Sequence, residues 1–338
     1  PGIMSMNRNE STPMRAAVRD DTGLAFVERP RPVPGPEDVL VRVRAVALNR
    51  ADLGVLAGHM HGSVGGSGTI LGMEWAGEAL AVGDRVGTVK PGDRIMGSGA
   101  AAFAEFTVAD FGRVYPIPDG IDFERAATLP VALQTMHDAV VVNGRLRDGE
   151  SVLVLGASSG VGLMAMQIAK KMGASLVVGS STNATRRSQL GEFGADLAID
   201  SSAPDWPDQV REATRGRGVD LIVDQLSGPT INASMKAAAV LGRIVNVGRL
   251  AGTRGDFDFD LHALKRIDYI GVTHRTRSVE EIREECRKTW ADLAAGVADG
   301  SLALPISATF PFERLGEAFA MMRANEHFGK IVVTLPSA

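Results

Sequence analysis

The sequence predicts an α/β protein in which a doubly wound parallel sheet is joined to a smaller β-rich part. Three observations predict it. Six short apolar runs alternate with helical stretches between residues 152 and 272. One run leads directly into a glycine-rich turn that opens a helix. The first third of the chain carries period-two alternation, prolines and glycine turns instead.

The six runs are Val152–Leu155, Leu176–Val178, Leu197–Ile199, Leu221–Val223, Ile244–Val247 and Tyr269–Val272. Strands buried on both faces read as continuous apolar runs, as these do. In the first third, Val39, Val41 and Val43 alternate with Leu40, Arg42 and Arg44, the pattern of a strand with one face to solvent. Pro30, Pro32, Pro34 and Pro36 force the preceding segment to be extended but bar it from a central strand. KPGD at Lys90–Asp93 marks a turn. A helix is expected over Phe312–Arg323, and a terminal strand over Ile331–Leu335 that returns to the N-terminal domain.

The chain has 338 residues, a length that suits two domains. The expected division is 1–134 with 299–338 for the β-rich domain, and 135–298 for the dinucleotide domain. Apolar residues make up 45% and charged residues 22%, so an ordinary folded chain is expected. The formal net charge of −4 argues against nucleic acid or an anionic membrane as the main partner. Cys286 is the single cysteine and sits in a charged, helix-like run; it reads as a packed helix residue, and an internal disulfide is impossible. No apolar run approaches the roughly 18 residues of a membrane span, and the N-terminus has no signal-peptide core. A cytoplasmic location is expected. Pro1–Pro13 is given no role, and its first three residues read as a cloning remnant.

The sharpest local signal is Gly156-Ala157-Ser158-Ser159-Gly160-Val161-Gly162 between the strand Val152–Leu155 and a helix over Leu163–Met172. Free N–H groups at that helix start, with the helix dipole, suit a pyrophosphate. The glycines permit the tight turn and the close approach of the backbone. An NAD site places an acid about 20 residues on to bond the ribose 2′-hydroxyl. From Leu163 to Gly191 there is no Asp or Glu. Gly179, Ser180 and Ser181 end the second run instead, followed by Arg186 and Arg187. Hydroxyls and an arginine suit the 2′-phosphate of NADPH, and Arg187 is the favoured contact.

GASSGVG also resembles the turn of short-chain dehydrogenases, but neither Tyr115 nor Tyr269 has a lysine four residues on. The chain instead resembles a medium-chain dehydrogenase/reductase of the zinc-free quinone oxidoreductase type, from about Met14 to Leu335. The landmarks are ALNRADL (Ala47–Leu53), GMEWAGE (Gly72–Glu78), KPGDRIMG, AATLPVALQT (Ala126–Thr135), the glycine turn with Gln167 and Lys170, FGAD (Phe193–Asp196) and GKIVV (Gly329–Val333). The resemblance implies a GroES-like catalytic domain built from both termini around a Rossmann domain, with nicotinamide and substrate in the cleft between them. It departs at Ser158 and Ser159, where relatives carry Gly or Ala, and at Gly54, where some quinone reductases carry tyrosine.

Zinc alcohol dehydrogenases share the implied fold and need about three Cys, His or carboxylate ligands. Here Asn49, Met73 and Pro130 stand where two cysteines and a histidine would be, leaving Glu74, so no metal is expected. The His59-Met60-His61 run fits the substrate cleft better than a metal site. Without a Lewis acid, quinones and α,β-unsaturated carbonyls are the easier substrates, because hydride addition leaves a delocalised oxyanion. Asn49 is the first candidate for positioning substrate or nicotinamide. Asp52 is the second, with buttressing Asn49 as its other reading. The cofactor cleft is expected to include Val131 and Thr135, Leu226 and Ser227, Asn246, Val247, Gly248 and Arg249, and the closing segment Gly329–Lys330. The alternatives are an enoyl-thioester reductase and a non-catalytic NADPH-binding or RNA-binding protein. A homodimer paired through the Asp268–Val272 edge is expected.

Overall fold

The computed structural model describes residues 12–336. The sequence readings on residues 1–11 and on the last two positions lie outside the described residues.

The first part is β-rich. Strands β1 (Pro13–Asp20) and β2 (Gly23–Pro30) form an antiparallel hairpin. Then come β3 (Asp38–Ala47), helix α1 (Arg50–Leu56), β4 (Glu74–Val82), β5 (Arg94–Ser98), β6 (Phe106–Asp110) and β7 (Val114–Pro116). Two helices, α2 (Phe123–Ala127) and α3 (Pro130–His137), lead into the second part. The end of α3 continues as a π-helical segment, Asp138–Asn143, so the expected boundary at residue 134 falls inside a helix.

The second part alternates strand and helix: β8 (Ser151–Val154), α4 (Gly160–Lys171), β9 (Leu176–Ser180), α5 (Ala184–Arg187), β10 (Leu197–Ile199), α6 (Trp206–Ala213), β11 (Val219–Asp224), α7 (Ile231–Ala237), β12 (Ala238–Asn246), α8 (Phe259–Lys265) and β13 (Asp268–Gly271). The long α9 (Val279–Ala298) leads back to β14 (Ile306–Pro311), α10 (Leu315–Arg323) and β15 (Lys330–Thr334).

The six runs are the six strands of one all-parallel sheet, ordered β10-β9-β8-β11-β12-β13. Val152 and Val154 pack with α4 and α9, whereas Leu153 and Leu155 pack with α6 and α7. The central strands are therefore buried on both faces, which is why their runs are apolar, whereas the edge strand β13 leaves Asp268, Tyr269 and Gly271 exposed. The order reverses between β8 and β11, the switch point at which open sheets of this kind bind ligands.

The expected terminal strand is β15. It returns to the first part and pairs antiparallel with β3, Val333 opposite Val46. The seven-stranded sheet is thus closed by both ends of the chain. In β3 the simple alternation breaks down. Leu40 is buried with Met14, Ala16, Ala104 and Phe106, because the β1–β2 hairpin covers the face assigned to solvent. Arg42 lies over the Phe106 ring, and Arg44 pairs with Glu78.

Candidate active site

Ser159 caps α4 by accepting the Gly162 N–H at 3.1 Å. Its hydroxyl lies within 3.1 Å of the Gly156 carbonyl. Gly156 holds a φ of +70°, a left-handed conformation that favours glycine. A Cβ on Gly162 would come within 2.4 Å of the Gly156 carbonyl oxygen. This is a tight backbone cradle at the sheet's switch point, opening onto a helix N-terminus. It fits a dinucleotide pyrophosphate. Gln225, which sequence reasoning missed, braces the cradle by donating to the carbonyls of Leu155 and Gly156 at 3.0 and 2.8 Å.

The expected cofactor residues divide. Ser181 and Ser158 meet hydroxyl to hydroxyl at 3.0 Å, and Arg187 donates to the Ser181 carbonyl at 2.9 Å. These three form one patch beside the turn. Asp200, at the end of β10, stands 3.6 Å from Arg187 and shares its charge.

Arg186 turns away and donates to the backbone carbonyl of Asn325. Ser180 corrects the reading. It is fully buried and its hydroxyl accepts the Gly156 N–H at 3.0 Å, so it shapes the turn from beneath and offers nothing to a phosphate. Gly179 is a packing glycine, because a Cβ there would lie 2.6 Å from the Met166 sulfur. Ala157 is buried against the core, and Leu226 packs beside α7.

Between the two parts lies a cavity of about 620 Å³. Val131, Thr135, Val161, Val247, Gly248 and Arg249 line it together with Asn49 and Asp52, whereas Ser227 and Asn246, expected in the same cleft, line a separate pocket beside Tyr269. His61 also lines it, but His59 does not. Among the described residues no three His, Cys, Asp or Glu side chains gather as a metal site would require.

One wall is a buried polar cluster. Glu74 opens β4 and is fully buried. One of its oxygens takes the Lys330 ammonium at 2.5 Å and the Asn49 side-chain amide at 2.9 Å. The other accepts the Val131 N–H at 2.9 Å, at the free N-terminus of α3. Lys330 also donates to the Asn49 side-chain oxygen at 2.9 Å. Lys330 therefore corrects a second reading: its ammonium belongs to Glu74, and only its stem lies on the cradle at Gly160. The Gly329 backbone, at φ +80°, pairs with Ser159 and delivers that stem.

Asp52 accepts the Asn49 backbone N–H at 2.7 Å, so it buttresses Asn49 as one reading had it. Burial pushes its carboxyl up to about 7; the Asn49 N–H and Lys330 oppose that rise, and Glu74 adds to it. Cys286 is buried in α9, and burial pushes its thiol up to about 11.

The opposite wall was not legible as a unit. Arg277, after β13, pairs with both Asp138 and Glu285 at 2.8 Å. The His274 Nε2 meets the other Glu285 oxygen at 2.5 Å. Asp138 belongs to the π-helical turn after α3, and Glu285 to α9. Burial raises the Asp138 carboxyl, with Glu285 adding to the rise and Arg277 opposing it.

A doubly wound sheet with a phosphate cradle at its switch point, facing a cavity walled by a β-rich domain, defines an oxidoreductase that uses a nicotinamide cofactor. The alcohol dehydrogenase GroES-like domain family matches residues 35–119, and the zinc-binding dehydrogenase family matches 160–294. The chain belongs to the medium-chain dehydrogenase/reductase superfamily. It is 33% identical over 341 residues to a phenolphthiocerol/phthiocerol polyketide synthase of Mycobacterium tuberculosis, across 98% of this chain. It spans about 15% of that protein's length. Among solved structures, the CurK enoyl reductase matches with a TM-score of 0.84 and 26% identity, over 96% of this chain and 99% of that one. A mycobacterial quinone oxidoreductase matches with a TM-score of 0.84 and 25% identity, over 95% and 100%.

Proposed function

We propose that this chain uses NADPH to reduce a carbon–carbon double bond conjugated to a carbonyl, a class that includes quinones. The carrying observation is the Lys330–Glu74–Asn49 cluster. Two of its members, Asn49 and Glu74, lie in the segments that the resemblance matches to the ligand-bearing segments of zinc members, and Glu74 is its one side chain of ligand type. Both oxygens of Glu74 are already engaged. Such a wall orients a substrate but offers no set of metal ligands, so the substrate must itself spread the developing charge. The bound cofactor supplies a hydride. The chain holds its pyrophosphate at the start of α4. Val131, Thr135, Val161, Val247 and Gly248 would line the nicotinamide's place, and Arg187, Ser181 and Ser158 would hold the 2′-phosphate.

An enoyl thioester is the favoured member of this class. Arg50, Arg113, Arg249 and Arg275 line the cavity without a carboxylate partner of their own among the described residues, although the chain is acidic overall. They suit a substrate carried on a phosphorylated arm. The likeness to a polyketide synthase and to an enoyl reductase supports the same reading. The test follows NADPH oxidation with a quinone, a simple enone, a crotonyl thioester and a simple ketone. Turnover of the first three but not the ketone is expected. Turnover of the ketone or its alcohol alone would sink the reading.

We also propose a homodimer through β13. That strand ends the parallel sheet, and Tyr269 on it, with Phe259 and Leu264 on α8, is exposed. Light scattering should give twice the chain mass. A monomer at micromolar concentration with full activity rejects this pairing.

A further inference from the structure

We propose that His274 is the proton donor of the reduction: Glu285 holds its Nε2, and the residue lines the substrate cavity. The assignment rests on the enone reading above. His274 lies in the loop that leaves β13, beside Val272 and Thr273, and all three line the cavity with Val247 and Gly248. Its side chain keeps 30% exposure, whereas Glu285 keeps 2%. The ring is therefore anchored at one nitrogen and open at the other. Among the described residues Nδ1 has no hydrogen-bond partner.

The anchoring decides the tautomer. A carboxylate on Nε2 keeps the proton there when the ring is neutral. The proton that can leave is then the one on Nδ1, the nitrogen that Glu285 does not hold. Glu285 is itself held by Arg277, and Arg277 by Asp138, so the ring's orientation is fixed from three elements. Counted with both carboxylates ionised, Glu285, Asp138 and Arg277 leave one negative charge, which a protonated His274 neutralises. Arg275, Arg249 and His61 line the same cavity, and the two arginines oppose that charge. Burial pushes His61 below the ordinary histidine range, and Arg275, His274 and Arg249 push it further.

The step balances. Hydride from NADPH adds to the β-carbon, and the double-bond pair moves to the α-carbon and carbonyl oxygen, giving an enolate and NADP⁺. The Nδ1–H bond of His274 breaks, and its proton bonds to the α-carbon. The neutral ring, protonated at Nε2 against Glu285, takes a new proton from water. Delivery from one wall fixes the face on which the α-carbon is protonated.

The test uses a 2-methyl enone with NADPH in D₂O, on the wild type, His274→Gln, His274→Phe and Glu285→Gln. Wild type should give one α-configuration. Both His274 variants should lose about a hundredfold in kcat, the scale of a lost general acid. Their NADPH KM should move less than twofold, and they should give both α-configurations as water takes over. Glu285→Gln should fall between. In the cofactor-free protein at high pH, ¹⁵N NMR should show His274 protonated at Nε2, and Glu285→Gln should disturb that. A single α-configuration retained in the His274 variants overturns the assignment, whatever happens to kcat, because the residue would then only hold the loop. Protonation at Nδ1 in the neutral wild-type ring overturns it too. A wild type that reduces quinones but no enone overturns the enone reading, and the donor assignment falls with it.

Discussion

The two polar walls of the cavity are built from similar parts and behave differently. One wall, in the β-rich part, sets Lys330, Glu74, Asn49 and Asp52 together. The other, in the dinucleotide part, sets Arg277, Glu285, Asp138 and His274 together. In the first, both Glu74 oxygens, the Lys330 ammonium and the Asn49 amide all find protein partners. In the second, the ring of His274 is bound at Nε2 and left open at Nδ1. A closed cluster fixes geometry. An open one can exchange a proton. The depth of the central cations follows the same division, with Lys330 at 4% exposure and Arg277 at 20%.

The comparison can be broken first at Lys330. Lys330→Ala leaves Glu74 charged, buried and unpaired, and should destabilise the fold by about 3–5 kcal/mol. Chemical denaturation should show the loss. Lys330→Met with Glu74→Gln should recover much of it, since the pair is then replaced by neutral groups. A single variant as stable as wild type would mean that Glu74 is not held as described.

Asp52 sharpens the contrast through pH. Its folded value of about 7 lies above its ordinary 3.8. Between those values the native carboxyl holds a proton that the unfolded chain has released. Its contribution to stability is therefore present at low pH and lost as pH rises through about 7. The loss amounts to up to about 4 kcal/mol, at about 1.4 per unit. Asp52→Asn should flatten stability between about pH 4 and pH 7 relative to wild type. Parallel curves for the two proteins reject the buried-acid description.

Arg277→Met should cost less, about 2 kcal/mol, because solvent reaches that cluster and Asp138 can take up a proton. The loss should grow as pH rises, since burial already raises the Asp138 carboxyl. A larger effect than that of Lys330→Ala would reverse the ranking of the two walls.

The smallest effect is expected outside both walls. Arg187→Ala should weaken NADPH binding about tenfold and leave NADH binding nearly unchanged, one charge-assisted hydrogen bond being lost. Arg186→Ala should do neither, because Arg186 reaches Asn325. Isothermal titration of both cofactors separates the cases. Equal losses for NADH and NADPH would assign Arg187 to the fold alone. A wild type that prefers NADH would overturn the NADPH assignment, and Asp200 beside Arg187 would then be the group to examine.

By itself the sequence determined what is local. Central strands buried on both faces must be apolar there, so their runs were readable, as was the turn from Val154 through Gly156 into α4, while β13 was read from its apolar run although it lies exposed at the sheet edge. The return of the last strand was readable from GKIVV. The resemblance placed Asn49, Val131 and Val247 at the cleft. Tertiary structure alone decided which polar atoms were still free. Ser180 looks like a phosphate ligand until Gly156 uses its hydroxyl, and Lys330 looks like a free cation until Glu74 takes its charge. Leu40 was assigned to solvent because a strand's alternation does not reveal that a hairpin covers its second face. The His274 wall joins residues 138, 274, 277 and 285, drawn from a π-helical turn, a loop and a helix, and no spacing in one segment encodes such a meeting. Periodicity and turn chemistry act between neighbours in the chain, whereas hydrogen-bond partnership and burial depend on what the fold brings together.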